Sequence, residues 1–147
     1  MAEMPVEVLV VDDNPNDLEL TVHALKRTES VHSIQVARDG VEALDFIFCT
    51  GPHASRTKTN LPRLVLLDIK LPRIDGWGVL HRIKNNPTTH SIPVVMLTSS
   101  SDHNDIARCY QLGANSYIIK PVDYSEFIQA ARVLGTYWLT LNCISTT

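Results

Sequence analysis

The run Leu64-Val65-Leu66-Leu67-Asp68 constrains this chain more than any other stretch. Four apolar side chains lead straight into one carboxylate. By periodicity alone, a run this short fits a buried strand or a buried turn of helix. Its flanks decide the matter: Pro62 stands just before it and Leu71-Pro72 soon after. A bracketed apolar run with a charge at its carboxyl end is what a central strand of a parallel sheet looks like, because such strands are covered on both faces. In open sheets of this kind, function gathers just beyond the carboxyl ends of the strands, which is where Asp68 stands.

The same pattern recurs along the chain. Val6 to Val11 is β-branched, broken only by Glu7, and ends at Asp12-Asp13. Ser33 to Ala37 is a second short β-branched run, Ile92 to Leu97 a fourth strand ending at Thr98-Ser99-Ser100-Ser101, and Ser116 to Ile119 a fifth ending at Lys120-Pro121. Helical patterns alternate with them. Asn14-Pro15 supplies a cap and a proline at the first helical position, and Leu18, Val22 and Leu25 carry that helix to about Thr28. Asp39 opens a second helix with an apolar face of Val41, Leu44 and Phe48. Asp75-Gly76 opens a third with Val79, Leu80 and Ile83, which stops before Pro87. Asp102 to Leu112 is a fourth, closed by Gly113. Asp123 caps a fifth with the stripe Phe127, Ala131, Leu134 and Trp138, and the polar tail from Asn142 is expected to fray. Thr50 to Pro62 has turn residues and no periodicity. It is long for a helix-to-strand connection, and reads as a solvated insertion or as a partner contact through Arg56, Lys58 and Arg63. Five strands alternating with five helices predict an α/β fold: a doubly wound parallel sheet with helices on both faces and right-handed crossovers.

The chain's 147 residues suit one domain, 1–147, with a core from about 6 to 140, large enough to fold without disulfide or metal. A net charge of −3 gives no electrostatic reason to expect nucleic acid or a membrane surface. No stretch approaches the ~18 apolar residues of a membrane span. Cys49, Cys109 and Cys143 are odd in number and widely spaced. That argues against a disulfide framework or zinc site and favours a reducing cytoplasm. The acidic start Met1-Ala2-Glu3-Met4-Pro5 does not resemble a signal peptide.

If all strands run parallel, Asp12, Asp13, Asp68, Thr98 and Lys120 share one edge of the sheet. Two unit charges about 4 Å apart repel by about 4 kcal/mol at an effective dielectric near 20, so three converging carboxylates call for a cation. Oxygen ligands that leave room for water suit Mg²⁺. Lys120 adds a positive charge and Thr98 a hydroxyl donor, so the set can hold an anion beside a metal and a nucleophilic carboxylate. Carboxylates are nucleophiles toward phosphoryl groups. Taken singly the residues are less telling: Asp39, Asp75 and Asp123 read as helix caps, Asp13 reads equally as a cap, and Lys120 alone could be a solvated lysine. The six histidines form no metal spacing, Gly76-Trp77-Gly78 is not a dinucleotide motif, and Trp77 reads as a packing residue.

Asp12-Asp13, Asp68 within Leu-Leu-Asp-Ile-Lys-Leu-Pro, Asp75-Gly76, Thr98-Ser99 and Lys120-Pro121 together resemble the receiver domain of two-component response regulators, the family of the chemotaxis regulator of flagellar motors. The resemblance covers about residues 6–135. It implies a flavodoxin-like sheet in the order 2-1-3-4-5 and a phosphoacceptor rather than a classical enzyme, with Asp68 receiving phosphate from a sensor histidine kinase. It further implies Mg²⁺ held by Asp13, Asp68 and the backbone carbonyl of Lys70, with Asp12 acting mainly through metal-bound water. Thr98 and Lys120 then hold phosphoryl oxygens, Tyr117 is the switch aromatic that turns inward as Thr98 moves, and the Lys120–Pro121 bond is expected to be cis. Lys70 and Ser100 occupy the positions that tune phosphate lifetime. Neither suits orienting an attacking water, which implies slow self-dephosphorylation. Asp13-Asn14-Pro15-Asn16-Asp17, the long loop before the third strand, Ile83-Lys84-Asn85-Asn86-Pro87, Ile92-Pro93-Val94-Val95 and the Tyr137-Trp138 ending are similar to stand-alone receivers that partner bacterial phytochrome kinases.

Little chain follows the last helix, so the expected output is a surface: the fourth helix, fifth strand and fifth helix, including Ile106, Tyr110, Tyr117 and Phe127. Tyr137, Trp138 and Leu141 add apolar bulk that either closes the intramolecular core or forms a symmetric dimer contact. Two other classes compete with the phosphoacceptor. A haloacid-dehalogenase-type phosphatase needs Asp-x-Asp after its first strand, whereas Asp12-Asp13-Asn14 is spaced differently and there is no room for a cap domain. A receiver-like adaptor that never takes phosphate typically lacks one of the five site residues, and here all five are present.

Overall fold

The computed structural model describes residues 3–143. Five parallel strands, β1 (Val8–Val11), β2 (Ile34–Ala37), β3 (Leu64–Leu67), β4 (Val94–Thr98) and β5 (Ser116–Ile119), form one sheet in the order β2-β1-β3-β4-β5. Five helices connect and flank them: α1 (Pro15–Lys26), α2 (Gly40–Phe48), α3 (Gly76–Lys84), α4 (His103–Gln111) and α5 (Tyr124–Thr136). A short 3₁₀ turn at Gly51–His53 follows α2, and a π-helical turn, Tyr137–Leu141, extends α5. The expectation for the end of the tail lies outside the described residues.

Strand alternation builds two cores. Leu9, Val11, Val65, Leu67, Val94 and Met96 face one way and pack with Ala43, Phe46, Ile47, Val79, Leu80, Ile83 and Cys109 from α2, α3 and α4. Val8, Val10, Leu64, Leu66 and Val95 face the other way, against Leu18, Leu25, Leu134 and Leu139 of α1, α5 and the π-helical turn. β3 is fully buried, as its unbroken apolar run requires. Shortening one of these leucines to alanine would cost about 2–5 kcal/mol.

Several boundaries differ from the sequence reading for local reasons. β1 begins at Val8 rather than Val6: the Val6 amide goes to Asn60 Oδ1, and Glu7 Oε1 accepts the amide of Ser33 at 3.0 Å. α1 ends at Lys26, with Thr28 Oγ1 donating to the Ala24 carbonyl at 3.0 Å just beyond it. β4 starts at Val94, after a proline with no amide to donate. The face of α2 is rotated: Ala43, Leu44, Phe46 and Ile47 are buried, while Val41 and Phe48 sit at the margin. A nine-residue helix is short enough for two apolar phases to be drawn through it, and the 43/46/47 phase meets the sheet.

The 50–62 segment is a tied-down surface loop rather than a solvated insertion. The Arg56 guanidinium lies 3.7 Å over the Phe46 ring and donates to the carbonyls of Phe46 and Asn60. Asn60 in turn donates to the Met4 carbonyl at 2.9 Å. Arg63 donates to the Leu139 carbonyl at 2.8 Å, holding the π-helical turn against the sheet. Arg56 and Arg63 therefore both tie the chain to itself, Arg63 while staying exposed, and of the expected partner-contact residues only Lys58 has no such bond among the described residues.

Candidate functional site

The register of the sheet places the site. Val11 pairs with Leu67, so Asp12 and Asp68 leave adjacent strands side by side. The order β2-β1-β3 puts the reversal of strand order between those two strands, the crevice where doubly wound sheets bind ligands. Thr98 pairs with Ile119, and the Lys120 amide donates to the Thr98 carbonyl at 2.7 Å, bringing the ends of β4 and β5 to the same edge. Gly76 underlies this edge. Its amide donates to the Ile69 carbonyl at 2.7 Å, and a β-carbon there would stand 2.1 Å from the Asp68 carbonyl oxygen, so no larger residue fits. Gly40 allows the loop before α3 to cross α2 equally closely: an added β-carbon would be 1.9 Å from the Ile74 carbonyl oxygen.

All five expected residues meet there. Asp12, Asp13 and Asp68 each offer a carboxylate oxygen, and these oxygens lie within 4.8 Å of one another. Asp12 and Asp68 are buried, whereas Asp13 faces solvent. Lys120 Nζ donates to Asp12 Oδ2 and to Asp68 Oδ2, each at 2.8 Å. The other oxygens are also engaged, Asp12 Oδ1 by the Asn14 amide at 2.9 Å and Asp68 Oδ1 by the Ile69 amide at 2.7 Å. Burial, outweighing the Lys120 hydrogen bond, pushes the Asp12 carboxyl up to about 6. Burial alone would lower Lys120, but its hydrogen bonds to Asp12 and Asp68 and their charges outweigh it and hold the ammonium above the ordinary lysine value. Hard carboxylate oxygens this close, one of them open to water, fit a divalent cation.

The remaining expectations divide. Thr98 is buried at the end of β4, and its carbonyl accepts the Lys120 amide. Lys70 is exposed, two residues past Asp68. Tyr117 is half-buried, its hydroxyl donates to the Ser100 carbonyl at 2.8 Å, and burial raises its phenol. Ser100 Oγ is occupied by Asp105 at 2.6 Å. Asp39, Asp75 and Asp123 are helix caps, accepting the amides of Glu42, Gly78 and Glu126. Trp77 packs beneath Arg108, whose guanidinium is 4.0 Å from the ring centre. No peptide bond among the described residues is cis, so Lys120–Pro121 is trans, against expectation. Trans is the lower isomer of such bonds by about 0.5–1 kcal/mol, and it already brings Nζ onto the carboxylates. The sequence reading missed one member: Asp17 Oδ2 also accepts from Lys120 Nζ, at 2.9 Å.

Comparison with known proteins agrees with this geometry. A family model described as "Response regulator receiver domain" matches residues 8–132. FilR2 of Methanothrix harundinacea (strain 6Ac), a probable methanogenesis regulatory protein, is 38% identical over 141 residues, spanning 96% of this chain and 88% of that one. Rcp1 of Synechocystis is 33% identical over 135 residues, 92% of this chain and 90% of its own. The Mn(2+)-bound form of Rcp1 superposes with a TM-score of 0.88 over 97% of this chain and all of that one. The phosphorylated cyanobacterial phytochrome response regulator RcpA, 34% identical, superposes at 0.89 over 97% of this chain and 100% of that one. A parallel sheet in the order 2-1-3-4-5, an acid cluster at its carboxyl edge and these matches together place the chain in the response regulator receiver domain family.

Proposed function

We propose that Asp68 is a phosphoacceptor supplied by a sensor histidine kinase. The observation that carries this reading is the Lys120 ammonium fixed at 2.8 Å on Asp68 Oδ2, with carboxylate oxygens of Asp12 and Asp13 within 4.8 Å. One Asp68 oxygen attacks phosphorus as the P–N bond of a phosphohistidine breaks, and the imidazole keeps the bonding electron pair. Lys120 and the Thr98 hydroxyl then hold phosphoryl oxygens as charge builds on them. Asp12, Asp13, Asp68 and the Lys70 carbonyl are the groups to hold Mg²⁺, which supplies further neutralisation of phosphoryl charge when bound. The haloacid-dehalogenase reading has no Asp-x-Asp to rest on. The adaptor reading loses ground because none of the five residues is missing and four of them, Asp12, Asp13, Asp68 and Lys120, converge.

Incubation with acetyl phosphate and Mg²⁺ should add the mass of one phosphoryl group. Uptake that persists in Asp68→Asn would refute the assignment of the acceptor, and sustained turnover of phosphomonoesters would favour a phosphatase.

The kinase partner is a phytochrome-type sensor. The support is the resemblance to RcpA, described as a phytochrome response regulator, and the Asp13–Asp17 and Ile83–Pro87 stretches, which resemble stand-alone receivers that partner phytochrome kinases. Tyr117, bonded to the Ser100 carbonyl, ties β5 to the loop before α4 and serves as the switch aromatic of an α4-β5-α5 output surface in a cytoplasmic protein. That surface continues into a symmetric dimer face. Val133, Tyr137 and Leu141, spaced four apart, are 54%, 46% and 69% exposed. Trp138 instead turns toward the core of Val8, Leu134 and Leu139, so it closes the monomer while Tyr137 and Leu141 are left for the partner copy. Sedimentation of wild type should show a dimer and that of Tyr137→Ser, Leu141→Ser a monomer. A monomer in both would dispose of the interface. No described helix is long and apolar enough to cross a membrane.

A further inference from the structure

Lys120 has three protons to donate, and three carboxylates accept them. Two belong to the acid cluster. The third, Asp17 Oδ2 at 2.9 Å, comes from the third residue of α1. An acid at that position of a helix ordinarily reaches back to the amide of the cap residue or simply favours the positive end of the helix dipole. Here that amide is already taken: the Asn14 N–H donates to Asp12 Oδ1 at 2.9 Å. The Asn14 side chain does the capping from the other side, accepting the amides of Asn16 and Asp17 at 3.0 and 3.1 Å. Asp17 is thus relieved of capping and crosses to the end of β5. Its backbone is steadied by Thr21 Oγ1, which donates to its carbonyl at 2.8 Å.

The other two partners of Lys120 have competing duties. Asp12 and Asp68 belong to the carboxylates that can hold a cation, and on the reading proposed above Asp68 also becomes esterified. Each event draws an oxygen away from Nζ. Asp17 is outside that converging set, so it alone can keep the ammonium in place throughout. A lysine stem left without a fixed partner regains its rotamer freedom, which must be lost again in every transfer. We propose that Asp17 is a positioning residue for Lys120: it anchors the ammonium over Asp68 while Asp12 and Asp68 engage metal and phosphate. This inference rests on the phosphoacceptor reading for its purpose, though not for its geometry.

The test compares Asp17→Asn, Asp17→Glu and Glu19→Gln, the last removing an equal charge from the exposed face of α1. The first readout needs neither phosphate nor metal: proton exchange of the ¹⁵N-labelled Lys120 ammonium by NMR. Asp17→Asn should speed exchange about 10-fold, the effect of one charge-assisted hydrogen bond. The second is phosphorylation by acetyl phosphate at saturating Mg²⁺. The maximal rate should fall about 10-fold in Asp17→Asn with the half-saturating donor concentration unchanged, recover in part in Asp17→Glu, and match wild type in Glu19→Gln. Unchanged exchange and rate in Asp17→Asn, or equal losses in Glu19→Gln, would overturn the proposal. If wild type takes phosphate and Asp17→Asn behaves identically, only the positioning role falls. If wild type takes none but Asp17→Asn still frees the ammonium, the phosphoacceptor reading falls and the anchoring of Lys120 stands.

Discussion

Replacing Lys120 with methionine tests the electrostatics of the site independently of its chemistry. The new side chain keeps most of the apolar stem and deletes the cation bonded to Asp12, Asp17 and Asp68. The Asp12 and Asp68 side chains are only 5% and 10% exposed, so water compensates little. With carboxylate oxygens no more than 4.8 Å apart, two full charges repel by at least about 3.5 kcal/mol at an effective dielectric near 20. Removing one partner of a buried ion pair costs about 3–5 kcal/mol in general. Part of this is recoverable, because burial already sets Asp12 at about 6 and loss of the lysine raises it further, so that it takes up a proton near neutrality.

The net expectation for Lys120→Met is a loss of about 3 kcal/mol at pH 7 in EDTA, measured by urea denaturation. That is a large share of the ~5–15 kcal/mol of a typical domain. Two conditions should narrow the gap. Acid does so because a carboxyl whose folded pKa lies above its unfolded value binds protons preferentially in the folded state, so the variant gains stability as pH falls through that folded pKa. Saturating Mg²⁺ does so because a ligand at about 100 times its dissociation constant adds about 2.7 kcal/mol, and the variant has no ammonium competing for the same oxygens. Phosphate uptake should stay low even with Mg²⁺ present, since a metal does not replace the ammonium on the phosphoryl oxygen. A variant as stable as wild type in EDTA, or an equal Mg²⁺ increment in both proteins, would refute the view that Lys120 balances converging buried charge.

Gly76→Ala should destabilise by about 3 kcal/mol and abolish phosphate uptake, because its β-carbon meets the Asp68 carbonyl oxygen and Ile69 Cα, which are backbone atoms. Gly78→Ala, which meets the Ile74 side chain, should do much less in the same urea and phosphorylation assays. Lys84→Met should cost about 1–3 kcal/mol by removing the donor shared by the carbonyls of His90 and Ile92 and by Asn115 Oδ1. Burial lowers Lys84 to about 8 from 10.5, so the folded chain sheds this proton first. Its contribution to stability should therefore rise with pH between those values, a slope that a pH series of urea melts should find in wild type and not in the variant. Self-dephosphorylation should be slow, with Ser100 Oγ occupied by Asp105 and Lys70 unsuited to orienting water. A phosphate half-life of seconds would contradict this.

The fold was legible because the central strands β1, β3 and β4 are short apolar runs that end at a polar residue, and strand alternation then sorts the side chains between two cores. The site was legible for the same reason. A parallel sheet brings the ends of its strands to one edge, so Asp12, Asp68, Thr98 and Lys120 could be placed together without knowing any distance. Helix faces were less secure. On α2 a 41/44/48 phase and a 43/46/47 phase both fit the apolar residues, and only the sheet chooses between them. Long side chains were less legible still. Arg56 and Arg63 read only as charges in sequence, and their use as intramolecular ties depends on where the Phe46, Asn60 and Leu139 carbonyls come to lie.

Asp17 shows where sequence reasoning stops for a physical reason. An aspartate three residues after an asparagine, at the start of a helix, already has two local explanations, the capping box and the helix dipole, and either accounts for it fully. Nothing was left over to send it across the molecule. What reassigns it is that the Asn14 amide is spoken for by Asp12, the residue just past the strand before it. One hydrogen bond within the site therefore removes the local use of a carboxylate and releases it for the far end of the sheet. The same coupling means that a change at Asp12 is felt by Asp17. Asp12→Ala frees the Asn14 amide, lets Asp17 turn back to cap it, and so loosens Lys120 at two of its three contacts at once. Its effect on Lys120 proton exchange should therefore exceed that of Asp17→Asn, and a smaller effect would show that the two acids hold the ammonium independently.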